Sequence, residues 1–213
     1  MSKKLIFFLA HIDDFEISCL GYLFKYFKEY DKIQIIIAST WSKKESIWKS
    51  NLEKIKKYLN KDIDYINLNF NQRRLTSDFD DVKDKFYNII TFNSNIRFDI
   101  VTHDAEDCHT DHTAVYKIAK GLFKYTDRFL SIYSPSSSSF NPNFWVGISD
   151  LELDFKKKLV VNYNIENEQS YSSVGNYLQD NGIENFLNNS YFFENFIYLD
   201  FNYYECYKLL KWR

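Results

Sequence analysis

The chain has 213 residues, a formal net charge of −2, and 27 basic and 29 acidic side chains interspersed along its length. This balance argues against a general nucleic-acid binder or a membrane-surface protein, and the length suits one domain with a full core. No apolar run approaches the roughly 18 residues that a membrane helix needs, so we expect no integral membrane segment. The three cysteines show no paired spacing and form neither a disulfide framework nor a CxxC zinc pattern. Because the N-terminus shows no signal-peptide pattern, we expect a cytoplasmic protein.

The first 125 residues contain four units in which a buried strand is followed by an amphipathic helix. Apolar runs predict strands at Leu5–Ala10, Lys32–Thr40, Ile63–Asn69 and Phe98–His103. Helical spacing of apolar residues predicts helices at Phe15–Lys28, Ser42–Leu59, Phe79–Phe92 and His109–Tyr125. Repeats of this kind imply right-handed crossovers and a mostly parallel central sheet with helices on both faces, which is a three-layer α/β fold.

The rest of the chain predicts a shorter extension of helices and strands. A fifth strand, Phe129–Tyr133, completes a core of residues 1–133, and a serine-rich loop, Ser134–Pro142, follows as the one low-complexity patch and a candidate mobile segment. Further predicted elements, ahead of a basic C-terminal tail, are the strand Phe144–Ile148, the helices Asp150–Asn162 and Glu168–Gln179, and the strand Tyr191–Phe201. No repeat or linker divides the chain. We therefore expect one domain, 1–213, in which residues 134–213 line the substrate pocket.

Two clusters of polar residues follow strands of the predicted sheet. His11, Asp13 and Asp14 come directly after the first strand, and Cys108-His-Thr-Asp-His112 follows the fourth. In α/β folds the carboxyl ends of parallel strands meet at the sheet edge where ligands bind. Polar groups beside a buried strand are costly unless they have partners. We therefore expect the two clusters to meet in space and form one metal site.

The residue types and spacing suit a hydrolytic zinc site, which needs about three protein ligands and an open position for water. His11 and Asp14 are three apart at a strand-to-helix turn, so both can point at one ion. His109 and His112 share the first turn of a helix, and either could supply the third ligand. Asp13 and the remaining histidine would then lie beside the metal. Amide hydrolysis needs such groups, a base for the water and a cation or acid for the oxyanion and leaving amine.

These residues resemble the motifs of the PIG-L/LmbE-like family of zinc-dependent N-deacetylases. Ala10-His-Ile-Asp-Asp-Phe-Glu16 is similar to the family's AHPDDxE motif, and Cys108-His-Thr-Asp-His-Thr-Ala-Val115 is similar to its HPDHxAV motif. Gly21 falls where the family has the second glycine of a pair, and the likeness is strongest over residues 1–120. Three positions depart from the pattern, two at motif prolines and one at the first glycine: Ile12, Thr110 and Leu20.

The resemblance implies a Rossmann-like fold and one Zn²⁺ per chain. The implied zinc ligands are His11, Asp14 and His112. Asp13 would be the general base that takes a proton from the zinc-bound water, and His109 would stabilise the oxyanion or protonate the departing amine. Asp111 would hydrogen-bond to a motif histidine and tune it. Family substrates such as GlcNAc-phosphatidylinositol, GlcNAc-inositol and GlcNAc-malate imply a small N-acylated amino sugar.

Further residues near the predicted sheet edge have weaker assignments. We predict that Arg73, Arg74 and His103 bind substrate, because a guanidinium suits phosphate and His103 ends the fourth strand. A solvated loop explains the arginines equally well, and a role as a hydrogen-bonded residue in the wall of the site explains His103.

We expect Cys108 to be a small buried hydrophobic residue that faces away from the cluster. The alternative to a metal site is a polar turn and a helix start with Asp107 and Asp111 as capping groups.

We expect a hydrolase that removes an N-acetyl group from an amino-sugar derivative, as a glycoconjugate, sugar phosphate or nucleotide sugar. A second hypothesis keeps the site but changes the reaction to N-deformylation, or other N-acyl hydrolysis, of a nucleotide-linked sugar or antibiotic intermediate. A non-enzymatic hypothesis is a catalytically lapsed sugar-binding or scaffold protein, which the three departures from the motifs suggest. A homo-oligomer is compatible with all three.

Overall fold

The computed structural model describes residues 2–39, 42–90, 96–161 and 203–211. Its strands are β1 (Ser2–Leu9), β2 (Lys32–Ser39), β3 (Asp64–Phe70), β4 (Ile96–Thr102), β5 (Thr126–Ile132), β6 (Phe144–Ile148) and β7 (Tyr203–Lys211). Its helices are α1 (Asp13–Ser18), α2 (Leu20–Tyr26), α3 (Ser42–Leu59), α4 (Phe79–Ile89), α5 (Thr110–Lys120) and α6 (Asp150–Val161). The α/β fold with a mostly parallel central sheet, predicted from the sequence, is confirmed. No helix in these ranges has both the length and the apolar character to cross a membrane.

The strands form one sheet in the order β3-β2-β1-β4-β5-β7-β6. The first five strands in this order pair in parallel, and β1 lies between β2 and β4. From β1 the chain builds outward through β2 and β3, then returns to the other side of β1 to form β4 and β5. The carboxyl ends of β1 and β4 therefore flank the point where the strand order reverses, which is where open α/β sheets bind ligands.

The apolar run of β1 is continuous because both of its faces are covered. Leu5, Phe7 and Leu9 pack into one hydrophobic layer, and Ile6 and Phe8 pack into the other. Alternate side chains of a strand point to opposite faces, so a strand buried on both faces has no polar alternation. This arrangement places the polar residues after β1 at the open edge of a rigid central strand.

The far end of the sheet differs from the sequence prediction. Residues 203–211, predicted as a basic tail, form β7, which pairs antiparallel with both β5 and β6. Tyr204, Cys206 and Tyr207 are buried in this strand, and this apolar content outweighs its lysines. The predicted helix Glu168–Gln179 and strand Tyr191–Phe201 lie outside the described residues.

The helix predicted at Phe15–Lys28 starts two residues earlier and is broken at Cys19, where φ is −128° and ψ is −12°. In a continuous helix the N–H of Tyr22 would donate to the carbonyl of Ser18. Here Tyr22 N donates to Glu205 Oε2 at 3.2 Å, and Ser18 O accepts from the Tyr207 hydroxyl at 3.0 Å. Side chains from β7 therefore replace the helical hydrogen bond that the break removes.

Lys156 of α6 completes this group. Its Nζ donates to Glu205 Oε1 and to Ile17 O, each at 2.6 Å, and the two charged residues are only 1% and 3% exposed. A cation at the end of α1 and an anion at the start of α2 match the partial charges of these helix ends. A Cβ on Gly21 would lie 2.9 Å from the Glu205 carboxylate, so a glycine permits the close approach. We call Lys156, Glu205 and Tyr207 the helix-break cluster.

Candidate metal centre

The two polar clusters predicted from the sequence meet at the carboxyl ends of β1 and β4. From the β1 side come His11, in the loop after the strand, and Asp13 and Asp14, in the first turn of α1. From the β4 side come His103, directly after the strand, and His109, Asp111 and His112, at the start of α5. Residues about a hundred positions apart in sequence are therefore in direct contact.

Three of these residues bring potential ligand atoms into a close triangle. His11 Nδ1 lies 3.2 Å from His112 Nε2 and 3.4 Å from Asp14 Oδ2. His112 Nε2 lies 3.4 Å from Asp14 Oδ1. Ligands bound tetrahedrally to zinc at about 2.0–2.1 Å are separated from each other by roughly 3.3 Å. The side chains that the sequence predicts as ligands thus have a spacing that fits one zinc ion.

Each histidine of the triangle has a carboxylate on its outer nitrogen. His112 Nδ1 lies 3.0 Å from Asp107 Oδ2, and His11 Nε2 lies 3.2 Å from Asp111 Oδ2. An ionised carboxylate only accepts hydrogen bonds, so the outer nitrogens carry the protons and the inner nitrogens of neutral rings present lone pairs. When both rings are neutral, two lone pairs and the Asp14 carboxylate face one another, an arrangement that suits a bound cation. Carboxylates in this position are the usual supports of metal-binding histidines.

The charges around the triangle favour a positive centre. Burial alone would lower the pKa of His11, but hydrogen bonds to Asp111 and Asp14 raise it to about 10. Burial is likewise outweighed at His112, where the Asp14 charge and the hydrogen bond to Asp107 raise the pKa to about 9. Burial would raise the pKa of the Asp14 carboxyl, but the neighbouring histidines hold it well below its usual value. The surrounding carboxylates therefore stabilise cationic charge at this point.

Two wider groupings also bring ligand atoms within 4.8 Å of one another, His11 with His109 and His112, and Asp14 with His103 and His112. In each of them one histidine already has a backbone hydrogen bond. His103 Nε2 accepts from Ala10 N at 3.0 Å, and His109 Nδ1 accepts from Asp111 N at 3.2 Å. We therefore favour the His11, Asp14 and His112 set as the metal ligands.

His103 is fully buried behind the triangle. Its ring stacks on that of His112 with centroids 3.8 Å apart, and its Nε2 lies 3.3 Å from Asp14 Oδ2. Burial and the neighbouring His112 lower the pKa of His103 to about 4, so the ring is neutral. The predicted contact of His103 with substrate stays a prediction, and its burial favours a supporting role against His112 and Asp14.

Asp13 lies beside the triangle and outside both wider groupings. Its Oδ2 is 2.8 Å from Nζ of Lys44, and both side chains are largely buried. Sequence reasoning missed Lys44, which lies in the first turn of α3. The helix dipole disfavours a lysine at a helix N-terminus, so the position of Lys44 was a sequence signal that it pairs with an acidic side chain.

His109 forms the N-cap of α5, and its ring lies 4.8 Å from that of His11 and 4.6 Å from that of His112, between centroids. Burial and the two neighbouring histidines lower its pKa below the usual value. Because its Nδ1 accepts from Asp111 N, the neutral ring carries its proton on Nε2. The predicted acid or oxyanion group is therefore a neutral hydrogen-bond donor in this structure.

Asp111 is fully buried and connects the centre to the loop after β3. It was predicted to tune a motif histidine, and its carboxylate contacts the ring of His11. It also accepts from the backbone N–H of Arg73 at 2.6 Å and of Leu75 at 3.1 Å. Arg73 adopts a left-handed φ of 63°, and the side chains of Arg73 and Arg74 are exposed beside the centre. Their role in substrate binding stays a prediction.

Two sequence interpretations of neighbouring residues need correction. Cys108 is exposed, not buried, because the Asp107 carboxylate holds His109 N at 2.8 Å and the intervening side chain faces solvent. Asp107, considered only as a capping group, also contacts the ring of His112, together with Ser136 from the serine-rich loop. The serines gave no sequence signal, because nothing in a low-complexity run indicates its long-range partner.

The positions that depart from the resembled motifs keep helical geometry. Ile12 has a φ of −65°, which is the value that a proline ring imposes. Thr110 is the first residue of α5, a position where a proline is accepted but not required. Neither substitution distorts the local backbone that presents Asp14 and His112.

The comparisons with known proteins agree with this geometry. The sequence profile of the family described as GlcNAc-PI de-N-acetylase, PIG-L, matches residues 6–123, a range that contains both motifs. No curated protein sequence matches the chain.

Solved structures share the fold at low sequence identity. A conserved protein of Thermus thermophilus is 20% identical with a TM-score of 0.65, over 96% of this chain and 93% of that chain. The N,N'-diacetylchitobiose deacetylase of Pyrococcus horikoshii is 15% identical with a TM-score of 0.61, over 98% and 84%. The 4-carboxy-2-hydroxymuconate hydratase of Pseudomonas putida is 12% identical with a TM-score of 0.64, over 100% and 98%.

A deacetylase and a hydratase both have this fold, so structural likeness at such identity does not establish the reaction. The match of the family profile is different evidence, because it covers more than half of the chain and includes every residue of the candidate zinc triangle. The chain belongs to the PIG-L family, described as GlcNAc-PI de-N-acetylase.

Proposed function

We propose that the chain is a zinc-dependent N-deacetylase of an amino-sugar derivative. The observation that carries this proposal is the triangle of His11, Asp14 and His112, with its two outer carboxylates and its converging ring nitrogens and carboxylate oxygens. Membership of the PIG-L family and the deacetylase among the structural neighbours support the same reaction class. A zinc ion held there would polarise the acyl carbonyl and make the attacking water more acidic.

The residues beside the triangle have distinct tasks in this proposal. Asp13 accepts the proton of the attacking water, and Lys44 holds its Oδ2 at 2.8 Å so that the other carboxylate oxygen is free for that proton. His109 donates a hydrogen bond from its Nε2–H to the oxygen that becomes negative, and Asp13 delivers the proton that it accepted to the leaving nitrogen. Asp111 orients His11 through the 3.2 Å contact and fixes the Arg73 loop beside the site.

Replacing Asp13 tests the assigned base. In Asp13→Ala we expect zinc content to stay at the wild-type level and kcat for acetate release to fall about 10²–10⁴-fold, the usual contribution of a general base. Asp150→Ala is the matched control, because Asp150 is an exposed acid in the first turn of α6. The measurement is acetate and formate release from free, phosphorylated and nucleotide-linked N-acyl sugars.

An unchanged rate in Asp13→Ala would exclude Asp13 as the base. Formate release without acetate release would favour the deformylase hypothesis. Zinc binding without release of either acid from any substrate would favour a lapsed sugar-binding protein.

The arginines beside the site predict a preference for anionic substrates. If Arg73 and Arg74 contact a phosphate, Arg74→Ala should raise KM for phosphorylated sugars about 2- to 5-fold, as expected for an exposed charge pair of roughly 0.5–1 kcal/mol. KM for neutral sugars should not change. Equal turnover of neutral and phosphorylated substrates by the wild type would remove the basis for this role.

A further inference from the structure

The serine-rich loop after β5 reaches the candidate metal centre through Asp107. Ser136 Oγ donates to Asp107 Oδ1 at 2.6 Å, and Ser134 Oγ donates to Asp107 Oδ2. The Asp107 side chain is fully buried, and its Oδ2 lies 3.0 Å from His112 Nδ1. A chain of contacts therefore runs from two serines, through one carboxylate, to a proposed zinc ligand.

The carboxylate of Asp107 accepts four hydrogen bonds. It accepts from both serine hydroxyls, from His109 N at 2.8 Å and from the ring of His112. A carboxylate has about four acceptor sites, so these four donors fill them and fix the orientation of the Asp107 side chain. Ser136 Oγ also lies 3.3 Å from His112 Nδ1, so the hydroxyl contacts the same imidazole edge.

The backbone holds this loop in register with the segment that precedes α5. Cys108 N donates to Ser136 O at 2.9 Å, and Asp107 and Ser137 form an antiparallel bridge. Ser134 N donates to Ser137 Oγ at 3.0 Å, and Ser137 N donates to Ser134 O at 3.0 Å, which closes a tight turn. The segment predicted as a candidate mobile loop is thus built into the support of the site.

We propose that Asp107, Ser134 and Ser136 are positioning residues that set the zinc affinity of the centre. They fix the ring orientation and the Nδ1–H tautomer of His112, so that the Nε2 lone pair faces His11 and Asp14. The inference rests on zinc being the bound metal in the proposed function, but it concerns affinity and is independent of the substrate.

The test measures the zinc dissociation constant by competition with a chromophoric chelator. Asp107→Asn should weaken zinc binding about 10- to 100-fold, the usual cost of losing a carboxylate that orients a metal-binding histidine. Ser136→Ala and Ser134→Ala should each weaken it by a smaller factor, and Ser136→Thr, which keeps the hydroxyl, should restore wild-type affinity. The matched control is Ser138→Ala, because Ser138 lies in the same loop, is exposed and donates to Glu106 O at 2.9 Å.

A purely structural role is distinguished by unfolding the zinc-free variants in urea. Positioning predicts a loss of zinc affinity in Ser136→Ala at an unchanged unfolding midpoint. Unchanged zinc affinity in folded Asp107→Asn, or an equal loss in Ser138→Ala, would overturn the proposal. If Asp107→Asn does not fold, the two serine variants decide the question alone.

The same experiment separates this inference from the proposed function. A wild-type chain that binds zinc, loses affinity in Asp107→Asn and releases no acetate or formate would retain the positioning role and refute the deacetylase. A wild-type chain that does not bind zinc would refute both.

Discussion

Buried charged side chains lie at both ends of α1, and they are paired in different ways at the two ends. At its C-terminal end, in the helix-break cluster, Lys156 Nζ donates to Glu205 Oε1 and to Ile17 O, each at 2.6 Å. At its N-terminal end, ring nitrogens of His11 and His112 lie 3.2 Å apart beside the Asp14 carboxylate. Buried polar groups are stable only when satisfied. The first cluster pairs its charges within the protein, whereas the second gathers ligand atoms at a spacing that fits the proposed zinc ion.

The comparison also explains how such a short helix holds its direction. A helix of six residues is too short to be stable in isolation, so its ends must be fixed by tertiary contacts. Lys156 and Tyr207 fix the last carbonyls of α1, and the backbone N–H of His11 donates to Asp14 Oδ2 at 2.8 Å at its start. Asp13 and Asp14 thus project from a helix that is held at both ends.

Of the variants considered, those that disrupt the helix-break cluster should lower the free energy of unfolding the most. In Lys156→Met, the buried Glu205 carboxylate loses its cation, and we expect the free energy of unfolding to fall about 3–5 kcal/mol. Zinc bound per folded chain should stay unchanged, because the proposed ligands lie away from the cluster, at the N-terminal end of α1 and in α5. Urea unfolding measures the first quantity, and metal analysis of the folded fraction measures the second.

Two variants serve as controls for this prediction. Lys158→Met changes an exposed lysine of the same helix and should have little effect on stability. The double variant Lys156→Met with Glu205→Gln removes both charges and should recover most of the loss. A Lys156→Met chain as stable as Lys158→Met would show that the pair does not support the break.

A smaller loss is expected from crowding the same cluster. In Gly21→Ala the new Cβ would lie 2.9 Å from the Glu205 carboxylate and 3.0 Å from Ile148 Cγ1. Overpacking typically costs about 1–3 kcal/mol, and the better helix propensity of alanine offsets part of it. We expect a net loss below that of Lys156→Met in the same urea experiment. A Gly21→Ala chain more stable than the wild type would contradict the close approach of Glu205.

The predictable part of the fold consists of elements with strong local patterns. The apolar runs of β1, β2 and β4 and the periodicity of α3 indicate their elements within a few residues. The break at Cys19 has no local signal, because its supporting side chains, Lys156 and Glu205, lie more than 130 residues further along the chain. The strand β7 was missed for a related reason, since its lysines suggest a tail, whereas the burial of Tyr204 and Tyr207 and the pairing with β5 and β6 are set by tertiary packing.

The candidate site divides in the same way. Strand-end polarity predicts that the two polar clusters converge, because parallel topology brings these strand ends together. The choice of His112 over His109 as the third ligand came from the family resemblance. The supports of the site were not predictable, because Lys44, Asp107 and Ser136 each act through a contact set by tertiary packing. The exposure of Cys108 depends on the same unpredicted loop contacts.

Metal content of single variants tests the central claim most directly. Each purified chain is first incubated with zinc and then dialysed to remove unbound metal. Elemental analysis should then find one zinc ion per wild-type chain and almost none in His112→Ala or Asp14→Ala. His109→Ala should retain the ion, since its Nδ1 already accepts from Asp111 N. A zinc-free wild type would contradict the account, as would a His112→Ala chain that keeps its zinc while His109→Ala loses it.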